Sequence, residues 1–251
     1  MKAMVLAAGL GTRLRPLTND RPKALVTVGG RTMLEIALAR LRQFGVTEAI
    51  VNTHHFGDMI REYLKTNHNF GMRIEVSSEE ELLDTGGGLK KASWFFLEGA
   101  GAAARAPFIL HNVDVIGTID LARMVQFHNE QGAMATLAVQ DRETKRYLLF
   151  DEKNMLCGRR AGREGVPELA RPATAAQAFA FCGIHILSPQ IFAKMTEDGA
   201  FSIIDAYLNL AAKGEKIVAF PADQYRWRDL GRPEAVLQAA HDFQSGVFSA
   251  S

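Results

Sequence analysis

The chain has 251 residues, with 29 Lys plus Arg against 28 Asp plus Glu for a formal net charge of +1, and 47% of its residues are apolar. That balance describes a globular protein of one or two domains able to bury a large core, and it offers neither the basic stripe of a nucleic-acid binder nor the basic arm of a membrane-surface protein. Two cysteines, Cys157 and Cys182, are too few for a disulfide framework and lack metal-site spacing, so the expected setting is the reducing cytoplasm.

Met1-Lys2 and the apolar run to Leu10 have the outline of a secretory leader. Arg13 and Arg15 follow at once, however, and the run is far shorter than a bilayer span; a buried strand over 3–8 explains it. A loop rich in Gly, Arg and Pro then runs to Ala24. Met33, Leu34, Ala37, Leu38 and Leu41 share one helix face, and Gly45 ends that helix. The pattern continues with a strand at 49–52, a helix carrying Met59, Ile60, Tyr63 and Leu64, and a strand at 72–76. A helix follows at 89–97, then a connection over 98–105, a strand at 108–111 and a helix at 121–127. This alternation predicts an α/β fold with a parallel sheet and helices on both faces. Beyond it, strands are expected at 134–139, 147–150 and 178–186, with helices at 203–212 and 233–243. Residues 158–177 are charged, small and weakly patterned, which predicts a flap or mobile loop.

Chemistry concentrates first at Leu6-Ala7-Ala8-Gly9-Leu10-Gly11-Thr12-Arg13-Leu14-Arg15-Pro16-Leu17-Thr18, continuing to Arg21-Pro22-Lys23. A buried strand leads into two glycines, whose backbone can approach a ligand closely and aim N–H groups at phosphate oxygens. Arg13, Arg15 and Lys23 would neutralise a polyphosphate there. The spacing fits neither a dinucleotide fingerprint, because Leu14 stands where the third glycine belongs, nor a Walker A loop. The plainer alternative is a glycine-rich turn with solvated arginines.

Three further groups stand out. Phe108–Asp114 is an apolar strand ending Asn112-Val113-Asp114, and a carboxylate at a strand's C-terminal end can hold Mg²⁺ against a triphosphate; capping of the next helix is the alternative for Asp114. Trp227-Arg228-Asp229-Leu230-Gly231-Arg232-Pro233-Glu234 places a second carboxylate before a helix start, where it too could act as a cap. Asp84-Thr85-Gly86-Gly87-Gly88 offers bare backbone on which a base or sugar could rest, or a flexible loop. The seven histidines lack metal-ligand spacing, and His54-His55 reads as a strand-end or surface pair.

Residues Leu6 to Lys23 resemble, nearly letter for letter, the signature LAAGxGTRLxPLTxxxPK of the sugar-1-phosphate nucleotidyltransferases. The resemblance extends in motif order to Glu234. It implies a Rossmann-like, mostly parallel sheet with helices on both faces and an inserted smaller sugar-binding β region. It also implies one domain over 1–251, with nucleotide binding mainly in 1–130 and sugar binding and metal completion mainly in 131–251, and no added β-helix. The implied nucleotide site comprises Ala7, Ala8, Gly9, Gly11, Thr12, Arg13, Lys23, Asp84, Gly86, Gly87 and Asn112. Arg13 would stabilise the leaving pyrophosphate and Lys23 the phosphoryl group under attack. Gly88, Arg146 and Gly183 would meet the sugar, and Asp114 and Asp229 would carry Mg²⁺.

The chain departs from the family pattern in places. Val113 replaces the glycine of Asn-Gly-Asp, Arg232 replaces a threonine, and Phe181-Cys182-Gly183-Ile184 stands for Phe-Ser-Gly-Ile, a segment that an ordinary buried strand would also explain. The Glu-Lys-Pro segment that many relatives place on the sugar phosphate is missing, leaving Arg146 or Arg171 for that task. Asp84 to Gly88 is most similar to uridylyltransferases acting on N-acetylmuramate 1-phosphate, which favours UTP and that sugar phosphate and suggests cell-wall sugar recycling. A guanylyl- or thymidylyltransferase for a hexose or heptose phosphate would share the catalytic residues. A glycosyltransferase would want an Asp-x-Asp pair, which Asn112-Val113-Asp114 lacks. A non-catalytic nucleotide-sugar-binding regulatory subunit has no need of Arg13, Lys23 and Asp229. No nucleic-acid or membrane partner is implied, and a homo-oligomer is left open.

Overall fold

Residues alternate between two cores along the first strand, β1 (Lys2–Leu6): Ala3 and Val5 face one, Met4 and Leu6 the other. The computed structural model describes residues 1–99 and 106–248, so most of the connection expected at 98–105 lies outside the described residues. After β1 come two 3₁₀ turns, Thr12–Leu14 and Lys23–Leu25, and a small hairpin of β2 (Thr27–Val28) and β3 (Arg31–Thr32). Helix α1 (Met33–Gln43) begins where the Thr32 hydroxyl accepts the Glu35 N–H at 3.1 Å, and Gly45 turns the chain out at φ 77°. Then follow β4 (Glu48–Thr53), α2 (Gly57–Thr66), β5 (Arg73–Ser78), α3 (Asp84–Lys91), α4 (Ser93–Leu97), β6 (Phe108–Asn112), β7 (Val115–Gly117) and α5 (Leu121–Gln131). The rest comprises β8 (Ala135–Gln140), β9 (Arg146–Phe150), β10 (Leu156–Ala161), β11 (Glu168–Leu169), β12 (Gln177–Leu187), α6 (Ile191–Lys194), α7 (Ile203–Ala212), β13 (Ile217–Pro221), β14 (Trp227–Asp229) and α8 (Pro233–Gln244).

The main sheet runs β11-β10-β9-β12-β6-β1-β4-β5, with β8 pairing β12 and β13 pairing β8. Strands β6, β1, β4 and β5 are parallel, which brings their C-terminal ends to one edge. Antiparallel β12 lies beside β6, and the ladder continues through β9 to β11. Helices α1, α2, α5 and α8 cover one face, while α3, α4, α6 and α7 cover the other. The fold is the expected α/β sheet with helices on both faces and an antiparallel β region. Among the described residues, no helix is long and apolar enough to cross a membrane.

Two expectations need correction. Part of 158–177 is ordered as β10 and β11, because its charges are paired: Arg159 meets Glu168 at 2.7 Å and Asp205 at 2.6 Å, and Arg171 meets Asp151 at 2.7 Å. The helix expected from residue 89 begins at Asp84, so the three glycines are helical. A β-carbon on Gly86 would fall 2.3 Å from the Phe201 ring, and one on Gly87 2.2 Å from the Gly199 carbonyl oxygen. The glycines therefore let α3 pack against residues 199–201.

Candidate active site

The glycine loop leaves β1 at the parallel edge. Gly11 has φ 65°, and its carbonyl accepts both the Leu14 N–H at 2.9 Å and the Thr18 hydroxyl at 2.8 Å. Buried Leu14 anchors the turn, while Thr12, Arg13 and Arg15 stay exposed. Arg21 is paired with Asp20 at 2.9 Å on the surface.

Lys23 lies across this loop. Its Cβ stands 3.1 Å from the place a β-carbon would take on Gly11, and its Cε and Nζ stand 3.3 Å from the same place on Gly9. Its ammonium group then reaches Asp114 Oδ2 at 3.2 Å, with the two side chains 15% and 9% exposed. Asp114 follows β6, where Asn112 pairs in register with Leu6 of β1. The Val113 that replaces a glycine is 1% exposed and belongs to the core, so its side chain does not crowd the loop.

The second carboxylate arrives on a separate ribbon. β7 pairs antiparallel with β14 so that Asp229 faces Val115, and the Leu230 N–H donates to the Asp114 carbonyl at 2.7 Å. Asp229 Oδ1 accepts the Gly231 N–H at 2.8 Å. A β-carbon on Gly231 would sit 2.7 Å from Asp229 Oδ1 and 3.0 Å from the Arg13 guanidinium, which places Arg13 at this turn. Asp114 Oδ1 and Asp229 Oδ2 remain without a partner among the described residues. Arg232 begins α8 without a side-chain cap, with Pro233 following.

On the far side, β12 carries a bulge between Phe181 and His185. Gly183 within it has φ 72°, and a β-carbon there would meet Asn112 Nδ2 at 2.8 Å. The bulge thus brings Gly183 onto the end of β6. Arg146 starts β9 and is exposed. Arg171 is committed to Asp151 and to the carbonyls of Leu156 and Met155, at 2.7, 3.0 and 3.1 Å. Arg142, which the motifs did not single out, lies 3.8 Å over the Trp227 ring and donates to the Phe181 carbonyl at 2.8 Å. The Trp227 indole N–H donates to the Cys182 carbonyl at 2.7 Å. Cys157 and Cys182 are free and buried, and burial pushes the Cys182 thiol up to about 12. His111, beneath the Asn112–Asp114 turn, donates from Nδ1 to the Asn112 carbonyl at 2.7 Å. Burial pushes its imidazole down to about 4, leaving it neutral at physiological pH.

Asn52 and Glu79 were missed as well. Asn52, at the end of β4, accepts the Ala7 N–H at 2.7 Å, and it donates to Glu79 at 2.7 Å. Asp84 opens α3 at φ 56°, a conformation that non-glycine residues seldom adopt, and its carboxylate accepts the Thr85 N–H at 2.6 Å. An open cavity of 440 Å³ lies beyond β4 and β5, lined by His54, His55, Phe56, Arg61, Ser78 and Glu80 among others.

The family model described as nucleotidyl transferase matches residues 2–246. An N-acetylmuramate alpha-1-phosphate uridylyltransferase of Caulobacter vibrioides is 35% identical over 245 residues, 94% of each chain. A mannose-1-phosphate guanyltransferase of Yarrowia lipolytica is 29% identical over 98% of this chain, which spans 63% of that protein's length. The structure of a UDP-glucose pyrophosphorylase from Acinetobacter baumanii superposes with a TM-score of 0.77 at 20% identity, covering 96% of this chain and 92% of the other. With its signature loop, two carboxylates and parallel edge assembled in one place, the chain belongs to the nucleotidyl transferase family.

Proposed function

We propose that the protein makes a nucleoside-diphosphate sugar and pyrophosphate from a nucleoside triphosphate and a sugar 1-phosphate. The observation that carries this reading is Lys23, laid across Gly11 and Gly9 with its ammonium group on Asp114. A phosphate oxygen of the sugar phosphate would attack the triphosphate's α-phosphorus in line, forming a P–O bond as pyrophosphate leaves. The triphosphate would lie over Ala7, Ala8, Gly9, Gly11 and Thr12, with Asn112, Asp84 and the α3 turn nearby. Lys23 would offset charge on the phosphoryl group under attack, and Arg13 charge on the departing pyrophosphate. No general base is needed, since a sugar phosphate is already an anion near neutral pH. Neutral, buried His111 suits that chemistry.

Asp114 and Asp229 would hold Mg²⁺. Two carboxylates, each with one unpartnered oxygen, suit an ion that takes one or two carboxylates and completes its shell with phosphates and water. Bound there, Mg²⁺ would neutralise phosphate charge. Gly183 and Arg146 would face the sugar, with Arg146 favoured over Arg171 because the latter's guanidinium is already engaged; Gly88, expected there too, is buried against Asn52 and Glu79. The division into a nucleotide part over 1–130 and a sugar part over 131–251 follows this arrangement.

UTP and N-acetylmuramate 1-phosphate are the favoured pair, supported by Asp84 to Gly88 and by the Caulobacter relative's name. Guanylyl transfer is the second reading, supported by the Yarrowia relative's name. Pyrophosphate release with Mg²⁺, crossing UTP, CTP, GTP, dTTP and ATP with a panel of sugar 1-phosphates, tests both. Release confined to UTP and N-acetylmuramate 1-phosphate is expected. Release with another pair keeps the chemistry and discards the specificity. Nucleotide binding without release across the panel would point to a regulatory subunit.

A further inference from the structure

Two nearly buried polar side chains, Asn52 (2% exposed) and Glu79 (4% exposed), lie between the glycine loop and the start of α3. Asn52 Oδ1 accepts the Ala7 N–H at 2.7 Å, Asn52 Nδ2 donates to Glu79 Oε1 at 2.7 Å, and Glu79 Oε2 accepts the Leu83 N–H at 3.0 Å. Glu79 is fixed through its own backbone as well: its N–H donates to the Thr53 carbonyl at 2.7 Å, and its carbonyl accepts from His54 Nδ1 at 3.0 Å. Helix α3 rests directly on the pair. A β-carbon on Gly88 would fall 2.6 Å from Glu79 Oε1 and 2.8 Å from Asn52 Nδ2.

The polarity of this chain of hydrogen bonds is constrained. Its two ends, the N–H groups of Ala7 and Leu83, are both donors and cannot change. The two side chains between them must present an acceptor at each end and one donor–acceptor contact in the middle. Asn52 with Glu79 satisfies all three contacts with donor meeting acceptor at each. Glu79→Gln would set two donors against each other, at Asn52 or at Leu83 depending on how the amide turns. Asn52→Asp would bring two carboxylates together. The exchange of both, Asn52→Asp with Glu79→Gln, restores every contact with its direction reversed in the middle and keeps the pair's charge.

We propose that Asn52 and Glu79 are positioning residues that lock the glycine loop to the turn opening α3, so that the seat for the triphosphate and residues 83–85 form one rigid unit. Ala7 is the first loop residue after β1, and Leu83 immediately precedes Asp84 with its positive φ. The proposal rests on the nucleotidyltransferase reading above, which seats the triphosphate on that loop. Neither side chain is assigned a contact with substrate.

The test uses the full chain with UTP, or with whichever triphosphate the pyrophosphate panel selects, and compares Asn52→Asp, Glu79→Gln and the double exchange. Each single variant is expected to raise the KM for the triphosphate about tenfold or more while changing that for the sugar phosphate less than about threefold. The double exchange is expected to return the triphosphate KM to within about threefold of wild type. A double variant no better than the poorer single overturns the proposal, as it would if Glu79 touched the nucleotide itself. Lower Tm values with both KM values unchanged assign the pair to stability alone and overturn it too. If a single variant does not fold, the double exchange decides: soluble protein with near-wild-type triphosphate KM supports the relay, and anything else overturns it. An active wild type with indifferent single variants defeats the relay alone. A wild type that neither binds nor turns over any triphosphate defeats the underlying reading and the relay with it.

Discussion

A methyl group on Gly9 would come within 3.3 Å of both Cε and Nζ of Lys23, and one on Gly11 within 3.0 Å of Thr18 and 3.1 Å of the Lys23 Cβ. The two glycines thus give the lysine a path to Asp114 while leaving the loop's backbone bare. Lys23→Ala should lower kcat about 100- to 1,000-fold, in the range seen when one preorganised charge-stabilising group is removed. Its far-UV circular dichroism should remain that of wild type. Turnover within tenfold of wild type would remove Lys23 from the assigned role. The glycine loop, both aspartates and Gly183 were legible because each lies in a distinctive local string. Asn52 and Glu79 were not. Glu79 is the first of three consecutive glutamates, and nothing local says that it is buried while Glu80 and Glu81 are exposed. Asn52 ends an apolar run in which one polar residue reads as a strand terminus. Arg142 was passed over because its meaning depends on Trp227, which only the folded chain brings to it.

The packing of α3 on the segment before α7 turns on residues with no side chain. Gly86 and Gly87 both donate N–H groups to the Phe201 carbonyl, at 2.9 and 3.3 Å. In a helix interior, Gly→Ala gains up to about 1 kcal/mol from lost backbone freedom. At Gly86 that gain is opposed by contacts of 2.3 Å with the Phe201 ring and 2.9 Å with its carbonyl oxygen, and overpacking of this kind costs about 1–3 kcal/mol. Gly86→Ala should therefore be destabilised by up to about 2 kcal/mol net, seen as a lower urea midpoint. A raised midpoint would mean that residues 199–201 yield easily. Strands with an apolar run, such as β1, β4 and β6, were legible from hydropathy alone. β10 and β11 were not, since they lie at the sheet's edge, where cross-strand ion pairs such as Arg159 with Glu168 take the place of an apolar face. The helix of three glycines was missed because its stabilisation comes from tertiary contacts that override a poor intrinsic propensity.

Three histidines are enclosed in the folded chain. Burial pushes His111 and His128 down to about 4 and His185 to about 3, from an ordinary value of 6.5. His128 is tied at both nitrogens: Nε2 donates to Ser188 Oγ at 3.0 Å, since that hydroxyl donates to the Ala133 carbonyl, and Nδ1 accepts from Thr136 at 2.9 Å. Below pH 6.5 the unfolded chain takes up protons that these imidazoles refuse in the fold, so the stability present above that pH is lost as pH falls. The loss should reach up to about 1.4 kcal/mol per pH unit for each imidazole. Urea midpoints should therefore drop steadily from pH 6.5 to 5, a window that lies above most carboxylate titrations. A flat profile over that range would show that water or partners reach these rings. The parallel half of the sheet was legible as a repeating pattern, whereas the ribbon of β7 and β14 joins distant segments and has no such signature. If Asp114 and Asp229 act together as proposed, that ribbon also sets when a newly made chain becomes competent. Asp114 leaves the ribosome early, but its backbone partner Leu230 and the second carboxylate, Asp229, follow more than a hundred residues later. On the proposed reading, translation that stops short of Trp227 would yield a product with the glycine loop in place and half of its carboxylate pair, so chains truncated there should be silent.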